Sequence, residues 1–195
     1  MTDLPSQALA ERIDALLPQT QCQRCGFEGC RPYARALAAG ETGFNRCPPG
    51  GIPVLRSLAA LLDATPLPLD PACGSEQPPR VARVVEADCI GCAKCIDACP
   101  TDAIAGARRW LHAVVAADCS GCELCLPACP VDCILMEPAP GLPDEPLDGA
   151  TILARATHFR RLFDGRRQRL ARNERRWRDA LAAQLEGRGT TEAPG

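Results

Sequence analysis

Cys89-Ile-Gly-Cys92-Ala-Lys-Cys95-Ile-Asp-Ala-Cys99-Pro100 is followed, thirty residues on, by Cys119-Ser-Gly-Cys122-Glu-Leu-Cys125-Leu-Pro-Ala-Cys129-Pro130. The two runs are near-copies with the spacing Cys-x2-Cys-x2-Cys-x3-Cys-Pro. A tight Cys-x2-Cys-x2-Cys loop delivers three thiolates from one turn of backbone, which suits a soft iron–sulfur cube. Zinc takes its ligands as two pairs per site, whereas these are triplets plus one. Disulfide frameworks rarely repeat so tight a run.

The match between the copies extends beyond the cysteines. Asp88, Gly91, Asp102 and Ile104 align with Asp118, Gly121, Asp132 and Ile134, and Val84-Val85 aligns with Val114-Val115. Each copy reads as a strand, a cysteine loop, a short helix near the last cysteine and a return strand. In this pattern the fourth cysteine of a run serves the other cluster. One cluster is therefore expected on Cys89, Cys92, Cys95 and Cys129, and its neighbour on Cys99, Cys119, Cys122 and Cys125. Proline after Cys99 and Cys129 fixes φ and turns the chain away, while Gly91 and Gly121 permit close backbone approach. Two copies with crossed ligands imply a closed pseudo-symmetric unit over residues 81–137.

Upstream lies a third set, Cys22-x2-Cys25-x4-Cys30-x16-Cys47. Helical spacing is expected from Asp3 to Leu17, from Pro32 to Ala39 with Gly40 closing it, and from Pro53 to Asp63. The cysteines fall in the turns around the second helix. Zinc is chemically open to this set in isolation, but the company of two cluster runs favours a third [4Fe–4S] cluster. The fold class is thus α+β: a small α-rich [4Fe–4S] domain, a bacterial two-[4Fe–4S] ferredoxin-like domain and a C-terminal basic helix. The expected division is 1–65 for the helical four-cysteine unit, 66–80 for a proline-rich linker and 81–137 for the two-cluster unit. A second linker at 138–150, an Arg-rich helical extension at 151–187 and a disordered end at 188–195 complete it.

Composition agrees with a metal-stapled chain. The 195 residues hold nineteen prolines, sixteen glycines and few aromatics, so each unit has little apolar surface to bury. No apolar h-region follows Met1, and no stretch is long and apolar enough to cross a bilayer. Residues 1–150 carry eleven Lys or Arg against nineteen Asp or Glu, and residues 151–195 eleven Arg against five acids. The body is acidic and the tail basic. Ten arginines lie between Arg155 and Arg178, on a helix whose apolar stripe (152, 156, 159, 163, 170, 177, 181, 185) is interrupted at Arg166 and Arg167. A solvated face or docking on an acidic partner or anionic lipid accounts for them better than specific nucleic-acid binding, since the acidic body repels a polyanion.

Two cysteines and two histidines remain. Cys133 aligns with Ala103 and is expected to fill a small apolar site, Cys73 is expected to stand alone in the linker, and neither is assigned to a cluster. His112, between the runs, is read as a packed or surface residue, because twelve ligand positions are already filled. No Gly-rich phosphate loop, Ser/His/Asp constellation or carboxylate pair is present, so no catalytic residues are expected beyond the clusters. The chain relays electrons.

The order of parts resembles a known family. Ile13-Asp-Ala-Leu-Leu-Pro-Gln-Thr-Gln-Cys22 runs into Cys25-Gly-Phe-Glu-Gly-Cys30-Arg-Pro-Tyr33, then Asn45-Arg-Cys47-Pro-Pro-Gly-Gly51, then the double run. This is similar to the B subunit of the Rnf (or Rsx) ion-translocating electron transport complex over roughly residues 8–137. The resemblance implies three [4Fe–4S] clusters in a membrane-associated complex that couples ferredoxin/NAD redox chemistry to ion translocation. Its partners would be the other complex subunits and a soluble ferredoxin or flavodoxin. Family members commonly begin with a membrane-spanning helix, and this chain instead carries an Arg-rich extension, so attachment at the cytoplasmic face of the inner membrane is expected to be peripheral. The alternative is a free-standing soluble cytoplasmic polyferredoxin, feeding another redox enzyme or keeping a redox-sensing regulator reduced.

Overall fold

The computed structural model describes residues 4–188, with side chains for 6–185. Three helices open the chain: α1 (Leu4–Leu16), α2 (Cys30–Ala38) and α3 (Gly51–Leu61). Pro18 stops α1 just past its end, and Gly40 takes the left-handed conformation after α2, with φ +71°. Each helix turns one apolar stripe inward, so Ile13, Leu17, Tyr33, Ala34, Leu37, Val54 and Leu58 form one buried cluster. Helix α2 begins two residues earlier than the spacing predicts, and Cys30 is its first residue rather than part of a preceding turn.

The repeat supplies four strands: β1 (Arg80–Val84), β2 (Ile104–Ala105), β3 (Ala113–Val114) and β4 (Ile134–Pro138). They pair antiparallel across the copies' boundaries, β1 with β4 and β2 with β3. Val84 faces Ile134 and Ile104 faces Val114, the same pair with each residue replaced by its counterpart in the other copy. Left-handed residues repeat in the same way: Ala93 and Glu123 at φ +65° and +64°, Asp102 and Asp132 at +55° and +50°. The aligned glycines have equivalent tasks. A Cβ on Gly121 would lie 2.6 Å from the Arg80 carbonyl oxygen, and one on Gly91 would lie 2.9 Å from backbone atoms of Trp110, the residue aligned with Arg80. The close approach they permit is therefore of chain against chain.

The copies differ in their helices. α4 (Lys94–Ala98) forms in the first, where the Asp97 amide donates to the Ala93 carbonyl at 3.3 Å. In the second copy residues 124–128 are only turns, against the expectation of a helix in each. Pro127 stands where Asp97 stands in the first copy and has no N–H for that bond.

Residues 68–73 fold back on the α-rich unit. The Asp70 amide donates to the Asn45 carbonyl at 2.9 Å, and Asn45 Nδ2 donates to the Pro68 carbonyl at 2.8 Å. Cys73 accordingly has partners, contrary to the expectation that it stands alone. It is buried, and Arg46 Nε donates to its sulfur at 3.4 Å.

The last element, α5 (Gly149–Arg188), is one continuous helix of 40 residues through Arg166 and Arg167, about 60 Å long at 1.5 Å per residue. Asp148 caps it, accepting from the Thr151 amide at 2.9 Å and hydroxyl at 2.8 Å. Ile152, Ala156 and Phe159 are buried, and Ile152 joins the apolar cluster of the first three helices. From Arg167 to Leu185 every residue is exposed. The expectation of disorder for 188–195 falls, Arg188 apart, outside the described residues. Among the described residues no helix is long and apolar enough to cross a membrane.

Candidate metal centres

Burial alone raises a thiol's pKa, because the thiolate loses its hydration. Cys30 and Cys125 are pushed up to about 12 and Cys122 to about 11, and Cys25, Cys47 and Cys95 also rise, in every case chiefly by desolvation. Buried thiols of this kind are poor ligands until a metal displaces their protons, and the strong iron–thiolate bond then favours loading.

These thiols converge on three small cavities. Cys22, Cys25, Cys30 and Cys47 line one. Cys89, Cys92, Cys95 and Cys129 line a second, and Cys99, Cys119, Cys122 and Cys125 a third. The fourth cysteine of each run thus lies in the cavity of the other run. A tetrahedral zinc site with Zn–S bonds near 2.3 Å requires sulfurs roughly 3.8 Å apart. Among the described residues, no three His, Cys, Asp or Glu side chains gather closely enough for a single ion. Four cysteines of ligand spacing around each cavity, set too far apart for a single ion, fit a bridging group, and an all-sulfur donor set fits iron–sulfur chemistry.

A chain of buried amides supports the first cavity. Asp14, inside α1, accepts from Gln19 Nε2 at 3.1 Å, Gln21 Nε2 donates to Gln19 Oε1 at 2.9 Å, and Gln21 Oε1 accepts from the Cys30 amide at 2.9 Å. Gln19 and Gln21 both have φ +56°, an uncommon conformation held here by the side-chain bonds. A Cβ at Gly29 would sit 2.6 Å from Gln21 Oε1, so glycine leaves room for the relay. Arg160 of α5 closes the chain by pairing with Asp14 Oδ2 and donating to the Asp14 carbonyl at 2.7 Å. Asp14, Gln19 and Gln21 lie in the stretch from Ile13 to Cys22 that carries the family resemblance, but nothing in the sequence assigns them this role.

The first unit meets the second copy's cysteine loop. Ser120 Oγ donates to the Thr20 carbonyl at 3.0 Å, and Arg24 pairs with Glu123 at 2.7 Å. Helix α5 crosses both units: His158 Nε2 lies 2.8 Å from Asp118 Oδ1, and Arg166 and Arg169 pair with Asp102 at 3.3 and 2.6 Å. Three arginines of the basic face, Arg160, Arg166 and Arg169, are paired with carboxylates inside the molecule.

Two residues set aside by the sequence reading line the second cavity. Cys133 is buried in the apolar core as expected, but its sulfur is 3.5 Å from that of Cys129. His112 is 3 % exposed, with Nδ1 3.3 Å from Cys95 Sγ and 3.7 Å from Cys89 Sγ. Cys73 lines none of the three cavities.

Residues 82–136 match the family described as 4Fe-4S dicluster domain, and residues 17–49 the family described as putative Fe-S cluster. Curated relatives are named as the B subunit of an ion-translocating oxidoreductase complex. The one from Pseudomonas aeruginosa strain UCBPP-PA14 is 63% identical over 132 residues, covering 68% of this chain and 69% of the relative. Its counterpart in Alkalilimnicola ehrlichii is 61% identical over 131 residues, covering 67% and 70%. For the relative from Pseudomonas paraeruginosa, 61% identical over 106 residues, the match spans just over half of each protein, 54% and 55%. No solved structure matches. Identity at this level over two thirds of both proteins, together with the two iron–sulfur family matches, places the chain in the B-subunit family of ion-translocating oxidoreductase complexes.

Proposed function

We propose that this chain relays electrons through three [4Fe–4S] clusters as the iron–sulfur subunit of an Rnf/Rsx-type membrane complex that couples ferredoxin/NAD redox chemistry to ion translocation. The observation that carries the reading is the set of three small cavities, each lined by one of the four-cysteine groups, with Cys133 as a fifth cysteine at the second. The assigned ligands are Cys22, Cys25, Cys30 and Cys47; Cys89, Cys92, Cys95 and Cys129; and Cys99, Cys119, Cys122 and Cys125. A bound cluster supplies one-electron chemistry at low potential. The protein supplies position, burial and hydrogen bonds, such as those from the Ala82 amide to Cys119 Sγ at 3.4 Å and from the Ala103 amide to Cys99 Sγ at 3.3 Å.

The contacts between units support an order. Thr20 and Arg24, beside the first cavity, touch Ser120 and Glu123 of the second copy's loop. Both of those residues line the cavity of Cys99, Cys119, Cys122 and Cys125, which makes that site the middle station. The terminal station is the cavity of Cys89, Cys92, Cys95 and Cys129. Ile90 and Val131 line it and are exposed, beside exposed Trp110 and Leu111, an apolar edge suited to brief contact with a soluble ferredoxin- or flavodoxin-sized carrier. The exposed second half of α5 is the part free to hold the chain at a membrane surface or on a neighbouring subunit from the cytoplasmic side.

Anaerobically purified protein is expected to hold about twelve iron and about twelve acid-labile sulfide per chain, and to give low-potential paramagnetic signals on reduction. Stoichiometric zinc without sulfide overturns the reading.

A further inference from the structure

The thirty-residue symmetry breaks beside one cysteine cavity. Position 106 is glycine and the aligned position 136 is methionine. Met136 lines the cavity of Cys99, Cys119, Cys122 and Cys125. At Gly106, with φ +144°, a Cβ would lie only 2.5 Å from Cδ2 of His112. The imidazole thus uses space that a side chain fills in the other copy. The residue aligned with His112 is Leu142, which packs on the apolar core and has no donor to offer. The other cavity has hydroxyls, Thr101 Oγ1 at 3.7 Å from Cys99 Sγ and Ser120 Oγ beside Cys122, but they donate to the Asp118 and Thr20 carbonyls at 2.8 and 3.0 Å. One cavity therefore has a side-chain nitrogen aimed at its sulfurs and the other does not.

The ring's surroundings select its tautomer. Nδ1 faces two sulfurs, which as thiolates only accept. Nε2 is buried and has no hydrogen-bond partner. With the proton on Nε2, a buried donor is orphaned and the Nδ1 lone pair points at anionic sulfur. With the proton on Nδ1, the sulfur gains a donor and only a lone pair goes unmatched. The second arrangement costs less.

We infer that His112 donates from Nδ1 to the Cys95 thiolate and thereby raises the reduction potential of the group held by Cys89, Cys92, Cys95 and Cys129. This rests on the three-cluster reading above. Adding an electron increases the negative charge on the ligand sulfurs, so a donor aimed at one of them stabilises the reduced state more than the oxidised one. His112 is a positioning and tuning residue, and its effect is confined to one of the two repeated sites. A higher potential at the terminal station holds the electron at the edge where a carrier docks.

The test is a potentiometric titration of the full anaerobic chain followed by paramagnetic resonance, with iron and sulfide counted in every sample. The count on the unaltered chain tests the cluster reading separately. His112→Leu is expected to keep its iron. At a fixed potential, the reduced-to-oxidised ratio of one cluster should fall about tenfold, which is about 59 mV for a one-electron couple. His112→Asn places an amide N–H where Nδ1–H stood and should restore most of the native midpoint. Gly106→Ala retains the histidine but displaces the ring, and should shift the same cluster in the same direction. Native midpoints in His112→Leu with full iron overturn the inference, as does a shift that His112→Asn fails to restore. Should His112→Leu lose iron, Gly106→Ala decides alone, and a native midpoint there with full iron overturns it.

Discussion

Arg160→Ala is expected to release the clasp helix from the first unit. Asp14 is nearly inaccessible, 3 % by side chain, and Arg160 is its one close cationic partner; Arg31 is 3.9 Å away. Removing one member of a buried pair costs about 3–5 kcal/mol when both charges are fully desolvated. Arg160 is itself about a third exposed, 34 % by side chain, so water already stabilises part of its charge. Gln19 continues to donate to Asp14. The low end, about 2–3 kcal/mol, is therefore appropriate and matches a charged hydrogen bond lost from a partly buried site. Thermal melting is a poor assay because cluster loss makes unfolding irreversible. Amide hydrogen exchange under anaerobic conditions reads the local opening directly. Amides in the first half of α5, around Ile152 to Phe159, should exchange roughly 30- to 150-fold faster, at 1.4 kcal/mol per tenfold. Amides of β1 and β4 should be unchanged. Pairing the variant with Asp14→Asn should give much less than the sum of the two single effects. Native exchange in α5, or uniform acceleration over the chain, refutes the argument.

Cysteine substitution and truncation test the same geometry. Cys129→Ala should damage the site of Cys89, Cys92 and Cys95 and leave that of Cys119, Cys122 and Cys125. Since the Cys133 sulfur lies 3.5 Å from that of Cys129, the single variant should retain more iron than Cys129→Ala with Cys133→Ala; equal losses refute a substitute role for Cys133. Deleting residues 170–195 should leave iron content and exchange unchanged while reducing salt-sensitive binding to vesicles of anionic phospholipid. Deleting 149–195 removes buried Ile152 and Phe159, an apolar loss of about 3–6 kcal/mol, and should accelerate cluster loss on warming. If both truncations behave alike, α5 does not clasp the two units.

The strand pairing was legible because the repeat imposes it. Once Val84 aligns with Val114 and Ile104 with Ile134, one antiparallel register determines the other. Likewise the three opening helices follow from apolar spacing and from Pro18 and Gly40. The grouping of cysteines into cavities was visible in their spacing, since three thiols from one tight turn leave the fourth place to a distant part of the chain. The missing helix in the second copy was legible too, in Pro127, which breaks the symmetry of the two runs by a single absent amide. Gln19, Gln21 and His112 were not legible. Their roles depend on long-range approach, a Gln21 side chain reaching the Cys30 amide and a ring filling the space over Gly106, and neither leaves a periodic mark.

Helix α5 shows most plainly why composition misleads. An Arg-rich helix with an interrupted apolar stripe reads as a tail looking for an external anion, and the acidic body reads as a separate fact. Each explains the other. Asp14, Asp102 and Asp118 belong to the acidic body, and Arg160, Arg166, Arg169 and His158 meet them along the first half of the helix. The interruption at Arg166 does not break the helix, because helical geometry needs only backbone bonds. It marks where the inward face changes from apolar burial to ion pairing. Past Arg169 the helix has left the body, and Leu170, Trp177, Leu181 and Leu185 are exposed on it. Part of the charge asymmetry that looked like a search for a partner is therefore spent on holding the first cavity's unit against the pseudo-symmetric pair. What is left for any surface outside the molecule is the distal half, with Arg172, Arg175, Arg176 and Arg178 beside an exposed tryptophan.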